Sequence, residues 1–243
     1  MEEFNFWLKC HKCCFLDSGS QGVCYKIGNK VYKIFLQFVE EEYDDEIVYS
    51  KEDILRFSSV NNSTYIFPTD VIMVGDIIVG YVTDYVDAKS LYKTNPLMVD
   101  LDRFEKSIEK AMEDIRIISN SGILTFDVAY NILYGKCGFS VIDTLEYTRS
   151  DIDSERLYLE NLKRYNFEIR LFLIDGYFDK FINNSKILYD MYCDEHVDMI
   201  QFLGEFRKRL SEVEGCEISN LRDARNSLVI RRGKYPKYIR ELW

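Results

Sequence analysis

The stretch Gly122–Leu133, GILTFDVAYNIL, followed at 139–144 by FSVIDT, is the part of the chain from which the rest can be read. It sets a carboxylate, Asp127, and an amide, Asn131, four residues apart in a loop. The strands NILY and FSVID then flank the turn Gly135 to Gly138 and end on a second carboxylate, Asp143. Just upstream, Leu97, Leu101, Phe104, Ile108, Met112, Ile115 and Ile118 recur at three- and four-residue steps. That spacing predicts a long amphipathic helix, with Gly122 as its C-terminal cap.

Further upstream the texture is that of a sheet. Residues 13 to 36 contain CCFLDS, VCYKI and KVYKIFL, with Gly28-Asn29 as a tight connection between the last two. VIMV and IIVGYVTDYV, separated by Gly75-Asp76, predict a second hairpin and a sheet of about five strands. Between them an acidic run, Glu40 to Glu46, leads into IVYSKEDILRFSSV, where Ile47, Ile54, Leu55 and Phe57 suggest a helix. Gly19, Ser20 and Gly22 in LDSGSQGVCYK lie on a strand, turn and strand, which argues against a Rossmann or Walker loop. A glycine-rich hairpin of this kind lets backbone amides approach phosphates with no side chain intervening. Lys33 follows on the next strand and shares a face with Val31. Mainly helical patterns run from about Glu155 to Ile230, and without a linker rich in Pro or Gly the boundary between the two textures falls near Asp87.

In this order the elements resemble the protein kinases. The hairpin around Gly19, Ser20 and Gly22 resembles their glycine-rich loop, Lys33 in VYKIF their strand lysine, and the Asp127–Asn131 loop with Asp143 their catalytic loop and metal-binding region. The resemblance implies a two-lobed α+β fold, with a small antiparallel sheet and one helix over residues 1–87 and a mainly helical lobe over 88–243. It implies ATP and Mg²⁺ as cofactors, with Lys33 on the α and β phosphates, Asn131 and Asp143 as metal ligands, and Asp127 orienting the attacking hydroxyl. Glu52 is the expected partner of Lys33, with Glu46 as the fallback. Tyr81–Val86 resembles the hinge strand, with Thr83 in the gatekeeper place and the Asp84 and Val86 backbones facing adenine. The match departs from the family pattern in several places. Asp17 stands at the first glycine position, Asp127 and Asn131 are four residues apart where five is usual, and Thr125 and Phe126 replace the usual His and Arg. Ala129 stands at the serine/threonine-kinase lysine, and Thr144-Leu145 replaces Phe-Gly. These departures are similar to those of atypical bacterial kinases and of the RIO and aminoglycoside-phosphotransferase groups. The readings they leave are an atypical serine/threonine protein kinase, a pseudokinase acting as a nucleotide-binding or scaffold module, and a small-molecule kinase.

The bulk composition is that of a globular protein. The 243 residues are 47% apolar and 30% charged with only 3 Pro, which excludes disordered and low-complexity classes. The formal charge of -10 repels a phosphate backbone, so nucleic acid is not an expected partner. The last residues run against that balance. Arg222 to Trp243 carries seven basic residues against Asp223 and Glu241, and suggests either a helix docked on its own acidic body or a patch for an acidic partner. Seven cysteines, an odd number, favour free thiols, and Cys10, His11, Cys13 and Cys14 lack a second ligand pair at zinc spacing. No apolar run approaches the length of a membrane span, and MEEFNFWLKCHKCC lacks the order of a signal peptide, so a cytoplasmic protein is expected.

Overall fold

CFLDSG, GVCYKI and KVYKIF form three strands joined by two-residue turns, the first exposed along its whole length and the other two partly buried. The computed structural model describes residues 13–39, 48–175 and 177–227. The chain forms two compact units. The described residues of one fall within 1–61, 65–87 and 143–145, and those of the other within 62–64, 88–142 and 146–243.

The first unit is a five-stranded antiparallel sheet of β1 (Cys14–Gly19), β2 (Gly22–Ile27), β3 (Lys30–Phe35), β4 (Asp70–Val74) and β5 (Ile77–Asp84), in the order β1-β2-β3-β5-β4. Both expected hairpin turns are present, and Gly28 and Gly75 supply the left-handed backbone they need, at φ of 61° and 60°. Phe35, Ile54, Tyr81 and Leu145 are buried together on one face, with Tyr49 and Val71 packed against them, while Ile34 is buried on the other. Gly22 and Gly80 are fixed by packing. A Cβ on Gly22 would lie 2.3 Å from the Ile34 carbonyl oxygen, and one on Gly80 would lie 2.1 Å from that of Lys33.

The expected helix in IVYSKEDILRFSSV is only α1 (Lys51–Leu55). Ser50 and Asp53 form a reciprocal capping box that fixes its start. The Ser58 hydroxyl donates to the Leu55 carbonyl at 2.7 Å, and the Ser-Ser-Val-Asn-Asn composition beyond it competes with further helix. Residues 143–145 belong to this unit because four contacts hold them there. Lys33 and Tyr81 meet Asp143, Thr144 Oγ1 donates to the Ile66 carbonyl at 3.0 Å, and Arg56 donates to the Leu145 carbonyl at 2.5 Å.

The second unit is organised on α2 (Leu101–Asn120), whose stripe of Leu101, Phe104, Ile108, Ala111, Ile115 and Ile118 is fully buried. The apolar period begins at Leu97, but the helix begins four residues later. Pro96–Met98 is a short 3₁₀ turn, and the Asp100 carboxylate caps α2 by accepting from the Arg103 amide at 2.9 Å. Gly122, at φ 70°, ends it as expected. A three-stranded sheet follows, of β6 (Ala88–Ser90), β8 (Ile132–Gly135) and β9 (Gly138–Val141), with β7 (Ile123–Leu124) paired separately to β10 (Thr148–Arg149). The helices α3 (Ser154–Ile174), α4 (Asp179–Asn183), α5 (Lys186–Cys193) and α6 (Met199–Glu214) complete the unit. Phe104 is the hub of its aromatic core, 5.0 Å from Phe139 and 5.7 Å from Phe172 between ring centres. Buried Asp114 on α2 accepts from the Ser63 amide and from the Ser63 and Thr64 hydroxyls, which ties 62–64 to the helix. The architecture is thus α+β, an antiparallel N-terminal sheet followed by a mainly helical part, as the sequence indicates. No helix among the described residues is long and apolar enough to cross a membrane. Cys10, His11, Glu40 to Glu46 and residues 228–243, which include most of the basic tail, lie outside the described residues.

Gly80→Ala and Gly22→Ala, which force a side chain into a neighbouring strand's backbone, should each cost about 2 kcal/mol or more in urea unfolding. Gly204→Ala, in open space within α6, should instead add about 0.5–1 kcal/mol through helix propensity alone. Equal effects at all three positions would contradict the packing described.

Candidate functional site

In the sheet unit the site is built around Lys33. The antiparallel register sets it opposite Cys24 on β2 and Tyr81 on β5. Its Nζ donates to Asp143 Oδ1 at 2.5 Å and to Gln21 Oε1 at 3.1 Å, and the Tyr81 hydroxyl donates to the same Asp143 oxygen at 3.2 Å. The ion pair is largely withdrawn from solvent, at 12% exposure for the lysine side chain and 27% for the aspartate. Sequence reasoning assigned Lys33 to Glu52, and here the geometry corrects it. Glu52 is exposed in the first turn of α1, where the acid favours the helix dipole, and Lys33 meets Asp143 instead. Glu46, the fallback, lies outside the described residues.

Gly19 closes β1 and Gly22 opens β2, with Ser20 and Gln21 as the turn between them. The two glycines differ in what requires them. Gly22 is demanded by β3, whereas a Cβ on Gly19 would meet nothing within 4 Å. On β5, Thr83 pairs with Val31, and the Asp84 carboxylate forms an ion pair with Lys30 at 2.8 Å. The Tyr85 amide donates to the Asn29 carbonyl, and Val86 follows, half-buried. Burial, together with the nearby charges of Asp143 and Asp17, pushes the Cys24 thiol up to about 11 despite the opposing effect of Lys33. Burial and the charge of Asp143 also raise the Tyr81 phenol, which therefore stays protonated as a donor.

In the helical unit the loop after β7 is held by a buried amide. Asn161 Oδ1 accepts from the Thr125 amide at 2.9 Å and from its hydroxyl at 3.0 Å, while Asn161 Nδ2 donates to Ser119 Oγ and to the Ile123 carbonyl. Asp127 is exposed, and Asn131 Nδ2 donates back to the Asp127 carbonyl at 2.8 Å. The amide group thereby closes the four-residue loop and leaves its own oxygen as the acceptor. The Ile142 amide in turn donates to the Asn131 carbonyl at 3.0 Å, which sets Asn131 against the residue preceding Asp143. Among the described residues, the non-glycine positions with positive φ are Asp127 at 41°, Tyr130 at 64° and Asp143 at 59°. Conformations of this kind cost free energy and concentrate at functional sites.

The structure thus brings Lys33 together with Asp143, and Asp127 together with Asn131. It adds Gln21, Cys24, Tyr81 and Asn161, which sequence reasoning missed. Asn161 had a usable signal, since it lies on the apolar i, i+4, i+8 stripe of Leu157, Asn161 and Tyr165, where a buried amide must be satisfied. Gln21 and Tyr81 had none, because their roles follow from cross-strand register.

No protein-family model matches the sequence, and no curated protein matches it significantly. Solved structures similar to it include the Cydia pomonella granulovirus kinase PK-1, at 16% identity and a TM-score of 0.41, covering 61% of this chain and 59% of that one. Another is the CAK complex of Chaetomium thermophilum bound to ATP-gamma-S, at 15% identity and a TM-score of 0.43, covering 61% of this chain and 50% of that one. The chain therefore spans between half and three fifths of the length of these two matches.

Asn161→Ala should lower stability by about 2–4 kcal/mol in urea unfolding, because it strands the buried Thr125 amide and the Ile123 carbonyl. At pH 8, iodoacetamide should label exposed Cys14, Cys137, Cys193 and Cys216 well before Cys24, as read by mass spectrometry of peptides. Cys24 ionises near 9.0 when unfolded, so its contribution to stability is complete below that pH and is lost as pH rises towards about 11. Equal labelling of all five thiols would refute the burial of Cys24.

Proposed function

We propose that the chain is an ATP-dependent phosphotransferase of the protein-kinase-like type, acting on a protein hydroxyl. The observation that carries this reading is the Lys33–Asp143 ion pair. It joins residues 110 apart in the sequence to which the kinase resemblance gives roles at one nucleotide site. A lysine neutralised by an aspartate on a sheet suits exchange of partners, in which the phosphates of ATP take the ammonium and a cation takes the carboxylate. Each residue would offer Mg²⁺ a hard oxygen of the kind it prefers, Asp143 through Oδ2 and Asn131 through its amide oxygen, neither engaged by the bonds described above. When bound, the ion would neutralise phosphate charge.

The remaining roles belong to the chain's own residues. Gly19, Ser20 and Gly22 offer backbone amides to the phosphates, and at Gly19 the protein's own packing gives no reason for the missing side chain. The Asp84 and Val86 backbones would receive the base. Asp127 orients the acceptor hydroxyl and accepts its proton as the oxygen attacks. A cytoplasmic setting, where ATP is abundant, agrees with free thiols at Cys13, Cys14, Cys24, Cys137, Cys193 and Cys216. The second reading is a nucleotide-binding pseudokinase, favoured by the exposure of Glu52 and the pairing of Lys33 with Asp143.

ATP with Mg²⁺ at about one hundred times Kd should stabilise the protein by about 2.7 kcal/mol and raise its melting temperature by several degrees. Lys33→Ala combined with Asp143→Ala should abolish that rise. Gly19→Ala should weaken it without changing the melting temperature of the free protein. Asp127→Ala should eliminate phosphotransfer and keep the rise. A melting curve unmoved by millimolar ATP would overturn nucleotide binding, and a wild-type protein that binds ATP without transferring phosphate would select the second reading.

A further inference from the structure

The ring of Tyr81 has a packing task that a phenylalanine could perform. It lies on β5 at 3% exposure, in the buried cluster of Phe35, Ile54 and Leu145, with its centre 5.9 Å from that of Phe35. A hydroxyl adds nothing to such packing, and its burial costs free energy unless it is hydrogen-bonded. Here the bond runs to Asp143 Oδ1.

Lys33 reaches the same oxygen on different terms. Its ammonium ends a long side chain, stands 5.7 Å from the Tyr81 ring centre, and is shared between Asp143 Oδ1 and Gln21 Oε1. In the reading proposed above it gives up the carboxylate for phosphate. Tyr81 cannot follow it. β3 and β5 approach so closely at the preceding residue, Gly80, that a Cβ there would lie 2.1 Å from the Lys33 carbonyl oxygen, and the Tyr81 ring is enclosed by the apolar cluster. The other end of the bond is fixed as well. Asp143 is left-handed at φ 59°, and the residues after it are fastened by Thr144 to the Ile66 carbonyl and by Arg56 to the Leu145 carbonyl. The phenol therefore keeps its hold on Oδ1 when the ammonium has gone.

The two donors also differ in charge. An ammonium neutralises the aspartate and weakens its attraction for a cation, whereas a phenol donates without cancelling charge. We infer that Tyr81 is a positioning residue for metal binding: with Lys33 on the phosphates, its hydroxyl holds the Asp143 carboxylate so that Oδ2 is offered to Mg²⁺. The inference rests on the phosphotransferase reading. Glu52, the acid expected to steady the lysine, is exposed, and a buried tyrosine steadies the aspartate instead.

The test uses Tyr81→Phe, which keeps the ring and removes the donor. ATP is titrated calorimetrically into the full chain with EDTA and again with Mg²⁺, and Mn²⁺ in place of Mg²⁺ gives an electron paramagnetic resonance spectrum of the bound ion. Wild-type protein should bind ATP more tightly with Mg²⁺ than with EDTA. Tyr81→Phe should keep the EDTA affinity within about twofold, lose about tenfold of the tightening by Mg²⁺, equivalent to about 1.4 kcal/mol, and change the Mn²⁺ line shape. Tyr81→p-methylphenylalanine, which fills the space of the hydroxyl without donating, should behave as Tyr81→Phe and covers the case in which that variant fails to fold. Tyr81→p-aminophenylalanine, which restores a neutral donor, should recover most of the tightening. Full tightening in the variants without a donor, or equal losses with and without the metal, overturns the inference, and ATP binding by the wild type then leaves the phosphotransferase reading standing. A wild type that binds ATP in neither buffer ends that reading and the inference with it.

Discussion

The sheet unit depends on one short contact, the ion pair between Lys33 and Asp143. Withdrawing two opposite charges from water is favourable only where geometry and further hydrogen bonds compensate the lost hydration, and both compensations are present. Gln21 and Tyr81 complete the polar shell. Arg56 and Thr144 fasten the same segment through its neighbours, and Leu145 is buried beside Phe35 and Ile54. A polar network and an apolar cluster therefore reinforce each other around three residues that arrive late in the chain.

How much of this could be read in the sequence differed by the range of the interaction. Turns and caps are local, so Gly28-Asn29, Gly75-Asp76 and Gly122 could be placed by the backbone conformation each requires. The periodic stripe of α2 was equally plain, although its start was not. Leu97 continues the period, and only Pro96 and the Asp100 cap move the helix to Leu101. Helix α1 came out shorter than its apolar pattern because Ser50 and Ser58 bind the backbone at either end. The identity of the candidate site residues was legible as an order of residue types, but the partner of Lys33 was not. Glu52 is nearer in sequence, yet whether a side chain points inward or into solvent is decided by helix orientation, which no spacing encodes. The four-residue step from Asp127 to Asn131 also reads differently in three dimensions, where the amide closes the loop on the Asp127 carbonyl.

Backbone strain follows the same map. Left-handed conformations at Asp127, Tyr130 and Asp143 cost about 1–2 kcal/mol each relative to glycine. Each is held by structure nearby. The Asn161 amide anchors the approach to Asp127, Asn131 closes the loop containing Tyr130, and Lys33 with Tyr81 holds Asp143. A buried asparagine on α3 thus bears on an exposed carboxylate through backbone it does not share.

The membership of residues 143–145 in the sheet unit also has a consequence for how the chain is made. Synthesis runs from the N-terminus, so β1 to β5 emerge from the ribosome while the partner of Lys33 is still more than fifty residues away. Until it emerges, the Lys33 ammonium and the Tyr81 hydroxyl face a surface without its acceptor, and Phe35 and Ile54 lack the cover of Leu145. The nascent sheet is therefore an incomplete body that waits for the helical segment α2 to pass through the exit tunnel before its own core can close. Gene fragments cut at the visible change of texture near Asp87 would inherit that incompleteness permanently.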